Sequence, residues 1–97
     1  MRTIRVVKIP SICGAPPEIG EHWIGLELPA FSEDEIPPMM LLGEKPNGFV
    51  VSIDIALQIL REKNPAAAQW FDVHPFIRQG QADFFLFQLQ DCELIGQ

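Results

Sequence analysis

Cations are scarce in this chain. Seven Lys and Arg stand against thirteen Asp and Glu, giving a net charge of −6 and a pI near 4.7. A general nucleic-acid binder draws its affinity from Lys and Arg that neutralise phosphates, and an anionic membrane surface is bound in the same way, so neither partner is expected. Long apolar runs are missing too, the longest falling far short of the roughly 20 residues of a spanning helix. Arg2, Arg5 and Lys8 interrupt the start of the chain, where a secretory signal needs an unbroken apolar stretch. The expected setting is the cytoplasm, as a soluble protein. Cysteine is limited to Cys13 and Cys92, near opposite ends and without C-x-x-C spacing, and both are expected to be reduced.

Catalytic signatures are equally sparse. The chain has no G-x-S-x-G elbow, no P-loop and no dinucleotide glycine pattern. His22 and His74 fall at the edges of predicted elements, with no third group at a recognisable spacing. A zinc set of Cys13, His22, His74 and Cys92 can be written down, but its spacing matches no compact knuckle or finger. A thiolate nucleophile at Cys13 would need one of the histidines beside it. No catalytic residue, metal or cofactor is assigned, and an enzyme using His22, His74 and Cys13 is the third and least favoured reading.

What the chain does have is one long segment whose structure can be read whole. Asn47-Gly48 signals a turn, because both residues tolerate positive φ, and Phe49, Val50 and Val51 then form an apolar run suited to a buried strand. From position 53 the period changes to that of a helix: Ile53, Ala56, Leu57 and Leu60 make one stripe, widened by Ile55 and Ile59, while Gln58, Arg61, Glu62 and Lys63 gather elsewhere. Ser52 or Asp54 supplies its cap. Asn64-Pro65 closes this helix and opens a second, short one, with Asn64 as cap and Pro65 at the first position, presenting Trp70 and Phe71 to the core.

Around that segment, 3–9 reads as a first strand ended by Pro10, and 11–20, with two prolines and two glycines, as a connection. Residues 22–28 return to strand until Pro29, 76–78 add an edge strand, and 84–89 form the central strand with Phe85, Phe87 and Leu89 on one face. At 47% hydrophobic content, 97 residues make one domain spanning 1–97. The fold class is α+β: a mostly antiparallel sheet of four to five strands, covered on one face by the helix over 53–63 plus a short second helix. Its core should hold Ile4, Val6, Trp23, Ile24, Leu26, Phe49, Val51, Ile53, Leu57, Leu60, Trp70, Phe71, Phe85 and Phe87.

Between these elements lies the least regular segment. Glu33, Asp34 and Glu35 form an acidic patch, Pro37-Pro38 forbids regular pairing, and Met39, Met40, Leu41 and Leu42 follow as four consecutive large apolar residues. They either tuck into the core or form an adaptable surface for partner capture. The leading functional reading is a non-enzymatic interaction module, most simply a homo-oligomer or a binder of another protein, using residues 39–42 and an aromatic sheet face. Its alternative is a small-molecule domain for a cationic or aromatic ligand, with Trp23, Trp70 and Phe84 as pocket walls and Glu33 and Glu35 as an acidic rim.

Overall fold

The structure, a computed structural model, describes residues 1–35, 48–80 and 83–96. Strand β1 (Arg2–Val6) alternates faces, so that Ile4 and Val6 are fully buried while Arg5 lies on the other side. It is the middle of a three-stranded antiparallel ladder. On one side β2 (Glu27–Ala30) sets Leu28 opposite Ile4; on the other β5 (Cys92–Gly96) sets Leu94 opposite Ile4, past a bulge between Thr3 and Ile4. Arg5 bridges both neighbours on the outer face, 3.2 Å from Glu27 and 2.7 Å from Glu93. Such exposed pairs stabilise by at most about 1 kcal/mol, but they favour this register over its one-residue slips.

A second antiparallel ladder joins β3 (Gly48–Ser52) to β4 (Phe84–Gln88), with Phe49 opposite Phe87 and Val51 opposite Phe85. The two ladders meet where the Phe31 N–H, just past β2, donates to the Val50 carbonyl at 2.9 Å. The five described strands are thus all antiparallel, and the class is α+β as expected, with the strands divided three and two. β1 holds the central place expected for 84–89, because β4 pairs only with β3 among the described residues. Asn47 lies outside the described residues, and so does the turn expected there; Gly48 has a role of its own. Gly48 has no positive φ; a Cβ there would collide with the Phe87 carbonyl oxygen, so the close approach of β4 is what requires glycine.

Helix α2 (Ile53–Lys63) packs across β2 and β3 and so covers the seam between the ladders. Ile53, Ala56, Leu57 and Leu60 are buried as the period predicted, but Ile55 is 41% exposed, so the stripe is narrower than expected. Ser52 occupies the cap position without a side-chain bond. Asn64 behaves as predicted: its Oδ1 accepts from the Ala67 N–H at 3.0 Å and starts α3 (Pro65–Asp72), with Pro65 in the first turn. Both carboxylate oxygens of Asp72 accept from Arg61 at 3.0 Å, tying α3 back to α2.

Four local expectations are corrected. Residues 22–28 are not one strand. Helix α1 (Pro17–Gly20) runs into a 3-10 turn (Glu21–Trp23), Gly25 takes φ 89° while donating to the Val6 carbonyl at 2.8 Å, and β2 begins only at Glu27. β2 then continues through Pro29, which an edge strand tolerates because one side of it needs no N–H. The segment at 76–78 is helical, not a strand: α4 (Pro75–Arg78) has proline at its first position, and three residues carry too little periodicity to outweigh that. Leu89 leaves the Phe85 and Phe87 face, because a 3-10 turn (Leu89–Asp91) replaces the strand there.

The core forms around Trp23. Its buried indole meets Phe71, Phe85 and Phe87 edge-on at centroid distances of 5.5, 6.0 and 5.4 Å. Of the predicted core, Ile24 is exposed, and Leu26 and Trp70 are half-buried against it; the remaining predicted residues are buried. The two neighbours Trp23 and Ile24 give a direct test. Trp23→Ala should lower the unfolding free energy by about 3–5 kcal/mol, and Ile24→Ala by no more than about 0.5 kcal/mol, as read from denaturant midpoints at constant slope.

Candidate functional site

The residues singled out for chemistry are dispersed. His22, on the 3-10 turn, contacts the Asn64 amide: Asn64 Nδ2 lies 3.1 Å from its Nδ1 and 3.4 Å from its Nε2. His74 caps α4, its Nδ1 accepting from the Phe76 N–H at 3.3 Å, and its ring lies between Trp70 at 5.4 Å and Phe76 at 6.0 Å. Each imidazole is engaged in holding a helix start, not in activating a nucleophile.

The thiols are tuned the wrong way for catalysis. Cys13 is an exposed free thiol at a left-handed position, φ 54°, followed by Gly14 at φ 69°. Partial burial of its sulfur pushes its titration up. Cys92 is buried at the start of β5, and burial, aided by the neighbouring Asp91 carboxylate, pushes its thiol up to about 11. A reactive cysteine needs stabilised thiolate, and both environments favour the neutral thiol. Among the described residues no three His, Cys, Asp or Glu side chains stand close enough to hold a metal ion.

The proposed pocket walls are only partly assembled. Trp23 and Trp70 both touch Phe71, the latter at 4.9 Å, but Trp23 is sealed inside the core. Phe84 sits elsewhere, edge-on to Phe31 at 5.3 Å. Glu33 and Glu35 share a 3-10 turn (Glu33–Glu35). The Glu35 carboxylate accepts from the Ser32 N–H at 2.7 Å and pairs with the Met1 ammonium at 3.1 Å. Those contacts, the Ser32 N–H first, hold its carboxyl below the usual carboxylate range. Met39, Met40, Leu41 and Leu42 lie outside the described residues.

Sequence reasoning missed one feature of the surface. Leu86 and Leu89 are 43% and 53% exposed, and with Gln88 and Gln90 they line an open cavity of about 690 Å³. Val50, opposite Leu86 in the ladder, is fully buried although it faces away from Phe49 and Val51. The signal for Leu86 was present, since strict alternation puts it opposite to Phe85 and Phe87. Leu89 could not be found that way, because the 3-10 turn ends the period. A second apolar patch exposes Val73 and Phe76 at the junction of α3 and α4.

Compared with known protein families, curated proteins and solved structures, the chain finds no match. No helix among the described residues is long and apolar enough to cross a membrane. A thiol reagent at mildly alkaline pH should modify Cys13 well before Cys92 in the folded protein, with the difference abolished by denaturant. Cys92 also gives a sign for alkaline stability. Its folded-state value is raised above the ordinary 9.0, so its contribution is complete below that pH and is lost as pH rises toward about 11. Unfolding midpoints across that interval should fall less steeply for Cys92→Val than for the natural chain.

Proposed function

We propose that this chain is a small non-enzymatic interaction domain that self-associates, using Met39, Met40, Leu41 and Leu42 and, separately, the outward face of β4. The observation that supports this most directly is the exposure of Leu86 and Leu89 side by side at an open cavity. Large apolar side chains grouped in this way are what an interface core uses, and each square ångström of apolar surface removed from water is worth about 25 cal/mol. Leu86, Gln88, Leu89 and Gln90 carry no charge, so two copies closing on this face would bury none, although each copy carries a net charge of −6. Methionine adds adaptability, since its unbranched thioether fills irregular gaps.

A second reading rests on the size of the same cavity. About 690 Å³ is within the range of small-molecule sites, although its described lining is leucine and glutamine, not the aromatic wall expected from the sequence.

Light scattering over a concentration series decides between them. The expected result is a dimer for the natural chain and folded monomers for both Leu86→Glu, Leu89→Glu and Met40→Glu, Leu41→Glu. A natural chain that stays monomeric at every concentration overturns the self-association reading, and the cavity is then screened by thermal shift against neutral and cationic aromatic compounds. If the Met40 and Leu41 variant fails to fold, those residues belong to the core, and the β4 pair alone reports on the interface.

A further inference from the structure

Asn64 holds two elements at once. Its Oδ1 accepts from the Ala67 N–H at 3.0 Å, which fixes the orientation of the amide, so its Nδ2 is the donor toward His22 at 3.1 Å. The same Nδ2 lies 3.4 Å from Nε2, so the neutral imidazole can offer its one lone pair at either nitrogen. We infer that His22, Asn64 and the Ala67 N–H form an acid-sensitive clasp that fastens the 3-10 turn carrying Trp23 to the start of α3, and that protonation of His22 opens it.

The reasoning is donor and acceptor counting. Whichever nitrogen holds the lone pair in the neutral ring, imidazolium has none, so protonation leaves N–H facing N–H. Rotating the amide by half a turn would let Oδ1 accept from the imidazolium, but it would swing the NH₂ onto the Ala67 N–H and remove the cap of α3. Either way one hydrogen bond is lost, and an intermediate-burial site gives water limited room to replace it.

The charges around the site add to this. Lys63, adjacent to Asn64, donates from Nζ to the Ile24 carbonyl at 2.8 Å, placing a second cation on the same turn. Glu21 precedes His22 in the chain, and the Arg61 and Asp72 pair, which links α2 to α3, is internally neutral. The start of α3 itself disfavours a cation. His74 is a contrast, not a second copy of the device: its protonation would cost the 3.3 Å bond from the Phe76 N–H, but would set a cation beside the rings of Trp70 and Phe76, which attract it.

The test compares stability at about pH 7.5 and about pH 5.5 in the natural chain, in His22→Gln and in Asn64→Asp, because histidine ordinarily changes charge across that interval. Glutamine can accept from Asn64 Nδ2 without titrating, so the natural chain should lose about fivefold to tenfold more of its folding equilibrium constant on acidification than His22→Gln. In Asn64→Asp a carboxylate can cap Ala67 and pair with imidazolium together, so the sign of the difference should reverse. Parallel pH curves for the natural chain and His22→Gln, or an Asn64→Asp curve that falls like the natural one, would overturn the clasp. Should either variant not fold, NMR of the natural chain decides. The Asn64 side-chain and Ala67 amide resonances must move together with the His22 ring titration, and their failure to do so overturns the inference equally.

Discussion

The rest of the structure depends on burying one indole. Trp23 is the largest fully buried side chain, and the three rings around it come from different parts of the chain: Phe71 from α3, Phe85 and Phe87 from β4. Edge-on aromatic contacts contribute about 0.5–1.5 kcal/mol each beyond the area they bury, so one side chain draws a turn, a helix and the second ladder into a single core. Its Nε1 finds no acceptor among the described residues, a cost that the packing has to exceed. The indole reaches this position because the chain does not extend through it. A 3-10 turn, ended by the positive φ of Gly25, aims it inward where a strand would have alternated it with His22 and Ile24.

Asn64 is the counterpart of that core at the surface of the helical layer. It terminates α2, caps α3 and reaches His22, one residue before Trp23 in the chain. Lys63 reinforces the same junction through the Ile24 carbonyl, and the Arg61 and Asp72 pair ties the last turn of α2 to the end of α3. The position of Trp23 is therefore set from two sides, by aromatic packing within and by polar contacts at the helix junction.

The same economy explains why the titratable groups offer little chemistry. Both histidines are engaged as hydrogen-bonding partners at helix starts, Glu35 serves its own turn, and the environments of Cys13 and Cys92 favour the thiol form. Several large apolar side chains also face outward: Leu86 and Leu89 beside β4, Val73 and Phe76 beyond α3.

Some of this was legible in the sequence alone. The helix over 53–63, its end at Asn64, the restart at Pro65 and the α+β class follow from local rules, namely a 3.6-residue period, the steric effect of proline on its predecessor and the capping oxygen of asparagine. The inward faces of β1 and β4 were legible because alternation is a property of the strand itself, and β3 was legible as an apolar run buried on both faces. Only the tertiary structure decided the rest. Whether 22–28 extends, which strand is central, why Gly48 must lack a Cβ, where Pro29 is tolerated and which outward leucines stay uncovered all depend on residues distant in the chain. Sequence periodicity records the faces an element has, whereas pairing and packing determine which of those faces meets another.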